Sequence, residues 1–168
     1  MPERPVLTVP NRTLKAEAAP TKGPDPALAA DLADTMYASP GWMGLAAPQL
    51  GDSRRALCVD VTTHPDATDS HGLITLFDPE LMFCEDMEIR REACPSVPGY
   101  YVDVRRPRYV VVRGTDLDGG ERVIHAQGVE ARAFLHELDH LEGLLVLDRI
   151  TSVRTDVFRR RTYQKRPG

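Results

Sequence analysis

At 168 residues, with 42% hydrophobic and 27% charged residues, the chain has the composition of one soluble domain large enough to enclose a core. Its net charge of −4 argues against a general DNA or RNA binder, and no apolar run approaches the roughly 18 residues that a membrane helix needs. Three cysteines give no disulfide framework, and Met1 to Pro5 lacks the charged-then-apolar build of a secretory signal, so a reducing cytoplasm is the expected compartment.

In chain order, residues 1–24 are proline-studded and read as an extended segment running over the surface. Asp25-Pro26 marks a helix start, with Asp as the cap and Pro in the first turn. Leu28, Leu32 and Met36 then recur every fourth residue, and Ser39-Pro40-Gly41 ends the helix. Strands are expected over 55–61, 73–77, 86–91 and 109–114, with 121–125 paired to the last through Asp118-Gly119-Gly120. Cys58 and Cys84 both lie in apolar runs and read as inert core thiols. His64 and His71 flank a polar loop and read as surface residues in preference to a second metal site; His125, at a strand end, is expected to be exposed. A second helix is expected over 128–142, with Phe134, Leu138 and Leu141 toward the core and Gly143 as its stop signal. Residues 152–168 hold six Lys/Arg and one Asp, a net of +5 against −9 for residues 1–151. The plain expectation for this basic tail is a solvated, frayed terminus; the functional one is docking to RNA, at the ribosome. Neither a repeat nor a second domain appears. The pattern is that of one α+β domain over 1–168, mostly antiparallel β-sheets packed around a central helix.

That helix carries His136-Glu137-Leu138-Asp139-His140. Residues four apart stack on one helical face, so His136 and His140 can grip one metal ion, with Glu137 near enough to take a proton from water. A solvated charged face is the plain alternative. Catalytic sites of this kind use three protein ligands. No histidine follows His140, and Glu142 points elsewhere, so the third ligand is sought upstream. Of the three cysteines, Cys94 alone lies in a polar, proline-punctuated turn, Glu92-Ala93-Cys94-Pro95-Ser96-Val97-Pro98-Gly99, and is the candidate.

Three stretches together resemble the motifs of the peptide deformylase family in order and spacing: Gly44 to Gly51 (GLAAPQLG), Glu92 to Pro98 (EACPSVP) and His136 to Gly143 (HELDHLEG). The resemblance runs from about Leu14 to Ile150 and implies a deformylase-like fold. It implies that Cys94, His136 and His140 hold one divalent metal ion with water in the fourth position. Iron(II) is the family's common metal, and Zn²⁺, Ni²⁺ and Co²⁺ are also compatible with a thiolate–imidazole set. It further implies that Glu137 shuttles the proton, that the Gln49 amide donates to the developing oxyanion, and that main chain around Met43 and Gly44 pairs with an extended peptide. Trp42, Met43, Gly44, Leu45, Glu92 and Pro95 form the implied substrate-facing set. The implied reaction is hydrolysis of N-formyl-methionyl peptides to formate and a free amino terminus. Asp139 is expected to fix an imidazole or a neighbouring backbone group, and Arg106 either to pair with Glu92, bracing the cysteine loop, or to be a plain surface charge.

The departures from the pattern are specific. Pro95 stands where the family usually has Leu, whose N–H helps hold the oxyanion; proline has none, and losing one such donor typically costs about 10²–10³ in rate. Ala93 replaces a glycine, and Gly41-Trp42-Met43-Gly44 has one residue more than the usual G-x-G, so that Trp42 either narrows the methionine pocket or caps the core. Leu135 replaces a frequent Gln and reads as buried structure. These changes leave open an amidase acting on unusual peptides or small formylated metabolites, or a weakly active or non-catalytic relative.

Overall fold

The computed structural model describes residues 4–161. The first helix, α1 (Pro26–Ala38), begins where Asp25 accepts hydrogen bonds from the backbone N–H groups of Ala27 and Leu28. Its Leu28, Leu32 and Met36 face is buried. Cys58 lies against this helix, its sulfur 3.8 Å from that of Met36, and burial pushes the thiol pKa up, as an inert core cysteine requires.

Strands β1 (Gly44–Ala46), β2 (Ala56–Val59), β3 (Ile74–Cys94), β4 (Val97–Thr115) and β5 (Glu121–Gln127) form an antiparallel sheet in chain order. A short strand, β6 (Val157–Arg159), also pairs with β4. The stretches 73–77 and 86–91, expected as separate strands, fall mostly within the single 21-residue β3, and 109–114 is the inner part of the 19-residue β4. The reason is that the middle of this ribbon extends beyond the core. Leu81, Met82, Phe83, Met87 and Ile89 are all exposed, so no burial period marks the strand. Cys84, expected in the core, is exposed on the same ribbon. Beyond β4, the Asp116 carboxylate accepts from the N–H groups of Asp118 and Gly120, while Gly119 takes the positive φ that closes the turn into β5.

Helix α2 (Gly128–Leu141) is more enclosed than a one-sided amphipathic helix, since every residue from Glu130 to Leu141 is buried. Phe134, Leu135, Leu138 and Leu141 pack with β-strand residues such as Leu57, Leu76, Val110 and Val112. Gly143 ends it at φ 70°, donating to the His140 carbonyl, while Leu144 donates to that of Asp139. A side chain at Gly143 would lie 2.7 Å from the Lys15 carbonyl oxygen, so glycine is needed twice over.

Among the described residues, the flanking segments contribute more than a surface strap or a frayed tail. Leu14 is fully buried, and the N–H groups of Leu7 and Val9 donate to the carbonyls of Gln49 and Ser96. After the short helix α3 (Val153–Asp156), β6 lies along Tyr100–Val102 of β4, and the Arg91 guanidinium sits 3.9 Å from the Phe158 ring centre. Lys165 and Arg166 of the basic tail lie outside the described residues. Among the described residues no helix is long and apolar enough to cross a membrane.

Candidate active site

The β3–β4 hairpin ends with Cys94 paired to Val97, so its tip is Pro95-Ser96. This turn carries the thiol to α2, where the Cys94 sulfur lies 3.4 Å from His140 Nε2. One ligand atom from each of Cys94, His136 and His140 falls within 4.8 Å of the others, and all three residues are buried. The two imidazoles stand 5.1 Å apart between ring centres, as residues one helical turn apart should. His136 spends Nδ1 on the Glu92 carboxylate at 3.1 Å, which leaves Nε2 for the interior of the site. Burial disfavours a charged His136, but hydrogen bonds with Cys94 and Glu92 outweigh it and raise its pKa well above the ordinary value. Burial, with His136 and Arg106 nearby, drives His140 well below.

Glu137 is buried against Gly44, and its Oε2 has no hydrogen-bond partner. Burial pushes its pKa up to about 7. Gln49, fully buried, uses Oε1 to accept from Ala46 N–H at 2.9 Å and donates one Nε2 hydrogen to Ser96 Oγ at 3.1 Å. These two contacts leave its second amide hydrogen unused. The Ser96 hydroxyl, unmarked in the sequence reading, therefore ties the glutamine turn to the cysteine hairpin.

Around the ligands runs a buried ionic network. Glu92 accepts from Arg106 Nε at 2.6 Å and Nη2 at 3.0 Å, and from Arg132 Nη1 at 2.7 Å, besides its contact with His136. Burial alone would raise the Glu92 pKa, yet its partners His136 and Arg106 hold it at about 2. The Arg106–Glu92 pair is thus a buried brace and not a surface charge. Asp139 makes no bond to an imidazole; it accepts from Arg106 Nη1 at 2.8 Å and from Arg149, and so anchors the helix end.

A cavity of about 470 Å³ opens beside the ligands, and Trp42, Met43, Gly44, Glu92 and Pro95 all border it. Trp42 also packs against the core under α1, so it both caps that core and borders the cavity. Two of the substrate-facing candidates have their side chains engaged elsewhere. Leu45 is fully buried in the α1 core, because alternation along β1 turns its side chain from the cavity. Glu92 borders the cavity but commits both carboxylate oxygens to Arg106, Arg132 and His136, which makes it a support for the metal ligand. The three remaining histidines lie elsewhere: His64 Nδ1 accepts from Asp66 N–H at 3.1 Å, His71 Nδ1 is 2.8 Å from Glu130, and His125 Nδ1 is 2.6 Å from the Tyr109 hydroxyl. Among the described residues, only Cys94, His136 and His140 form a group able to hold a metal ion.

The donor set fits a cation: a thiol and two imidazoles converge, and a buried carboxylate oxygen beside them has no partner. An α+β fold with this arrangement defines a metallohydrolase. The sequence pattern of the polypeptide deformylase family matches residues 3–156, and the chain belongs to that family. The family is metal-dependent. A peptide deformylase of Syntrophobacter fumaroxidans is 39% identical over 163 residues, 95% of this chain and 94% of that protein. The peptide deformylase of Ehrlichia chaffeensis in complex with actinonin superposes with a TM-score of 0.84 at 31% identity, covering 92% of each chain. The Met-Ala-Ser-bound enzyme of Acinetobacter baumannii gives 0.80 at 30% identity, covering 88% of this chain and 98% of that one.

Proposed function

We propose that this chain, as one metallohydrolase domain, removes the formyl group from formyl-methionyl peptides and releases formate. The observation that carries the reading is a buried, unpartnered carboxylate, Glu137, next to a convergent Cys94, His136 and His140. These three residues would hold the divalent cation, with Fe²⁺ as the native ion and Zn²⁺, Ni²⁺ or Co²⁺ accepted by the same donors. When bound, such an ion lowers the pKa of water to about 7 and polarises the scissile carbonyl. Glu137 takes the proton of the attacking water and returns it to the leaving amine, a role favoured by its free Oε2 beside the donor set. The free Gln49 amide hydrogen stabilises the oxyanion. Strand β1 ends the sheet order, so one of its edges is unpaired by any other strand among the described residues and can take an extended peptide as a further one. The peptide found on the Acinetobacter relative supports a substrate of that kind. The alternatives suggested by Pro95, Ala93 and Trp42 gain no support from the relatives. Ribosome docking through the basic tail remains part of the proposal, resting on its net charge alone. Formate release from formyl-Met-Ala-Ser by enzyme loaded with Fe²⁺ or Ni²⁺ tests the reading. Absence of release with a correctly loaded site would overturn it.

A further inference from the structure

The cavity that would receive the peptide is bordered by three arginines, Arg91, Arg132 and Arg160. Their charges are met unequally. Arg91 is paired with both carboxylate oxygens of Asp103. Arg132 precedes His136 by one helical turn and so shares its face. It is 9% exposed; its Nη1 donates to Glu92 and, at 3.5 Å, to the Val104 carbonyl, whereas Nη2 is buried with no hydrogen-bond acceptor. The ion-pair contact of that Nη2 is Glu88 Oε1 at 3.5 Å, too distant and poorly aimed to count as a hydrogen bond. Glu92 is shared with Arg106 and His136, so it does not fully neutralise Arg132. Arg160 is brought to the cavity by the docking of β6: its N–H donates to the Gly99 carbonyl, and its guanidinium lies 5.0 Å from the Tyr101 ring centre. No carboxylate among the described residues pairs with it.

Arg160 is exposed at the cavity rim. Arg132 borders the same cavity with its Nη2 closed to solvent near Glu88, so a ligand carboxylate meets Arg160 directly and draws on the buried charge of Arg132 beside it. We propose that Arg132 and Arg160 form a cationic subsite that selects formyl peptides bearing a carboxylate close behind the formylated residue. That carboxylate is either an Asp or Glu side chain or the free chain terminus of a short peptide, since a guanidinium fork recognises both alike. The inference rests on the deformylase reading above and refines its substrate class.

The test compares kcat/KM for formyl-Met-Glu-Ser amide against formyl-Met-Gln-Ser amide, and for formyl-Met-Ala-Ser against its amide, with metal-loaded enzyme at low salt. At least one pair should favour the carboxylate by about tenfold or more, the discrimination that one charged hydrogen bond supplies. The gain should reside in KM and shrink at high salt. The first pair reports a side chain and the second a terminus. In Arg160→Gln and in Arg132→Gln the ratio should fall toward one; where Arg132→Gln does not fold, Arg160→Gln decides alone. Ratios near one on both pairs in the unaltered enzyme, or ratios untouched by Arg160→Gln, would overturn the subsite while turnover of the neutral amides leaves the deformylase reading intact. No formate from any of the four peptides would overturn both.

Discussion

Replacing Gly44 with alanine puts a methyl group where the Glu137 carboxylate now rests. The new Cβ would lie 2.6 Å from Oε1, 2.9 Å from Cγ and 3.0 Å from Cδ of Glu137, whereas ordinary contact begins at 3.4 Å. The carboxylate must therefore retreat by about 0.8 Å, within the range where a misplaced catalytic group loses about 10² in rate. That loss equals about 2.7 kcal/mol of transition-state stabilisation. Stability should change far less, because the displaced atoms belong to the end of a flexible side chain. Overpacking of about 1 kcal/mol corresponds to a fall of roughly 2–4 °C in Tm for a chain of this size. Formate release on formyl-Met-Ala-Ser, with bound metal quantified in parallel, separates the two effects. A kcat within about threefold of the unaltered enzyme, with metal retained, would refute the argument that Gly44 sets the position of the base.

Three other substitutions probe distinct parts of the site. Glu137→Gln should lower kcat by about 10²–10⁴ while metal content stays the same; loss of metal instead would make Glu137 a ligand and not a base. Pro95→Leu restores a backbone N–H at the hairpin tip and should raise kcat by up to about 10²–10³ if that donor reaches the oxyanion; an unchanged rate with an intact hairpin would show that another group already serves. Glu92→Gln leaves Arg106, Arg132 and His136 without their shared charge in a buried setting. It should destabilise by about 3–5 kcal/mol, read as a denaturation midpoint, and weaken metal binding about 10–100-fold. Denaturation at the unaltered midpoint would remove Glu92 from the structural account.

Much of the site was legible because its chemistry is local. His136, Glu137 and His140 fall on one helix with Gly143 to stop it, and the Asp25 cap with its Leu28, Leu32 and Met36 stripe marks α1 just as plainly. What could not be read was decided by long-range packing. The β3–β4 ribbon leaves Leu81, Phe83 and Cys84 exposed, so apolar letters there do not signal a core. Leu7 and Val9 support Gln49 and Ser96 across long sequence separations, which no local pattern records. Asp139 has two arginines within reach, Arg106 and Arg149, and these outcompete any imidazole. Arg132 sits between two alanines where a solvent-facing cation would be the ordinary reading; its burial against Glu92 and beside the cavity is set by long-range packing.

The decisive measurement is X-ray absorption spectroscopy of the metal-loaded enzyme. One sulfur at about 2.3 Å and two nitrogens at about 2.0–2.1 Å are expected for a zinc-loaded sample, with the sulfur signal lost in Cys94→Asp. A shell of nitrogen and oxygen alone in the unaltered enzyme would contradict the convergence of Cys94 with His136 and His140 on one ion.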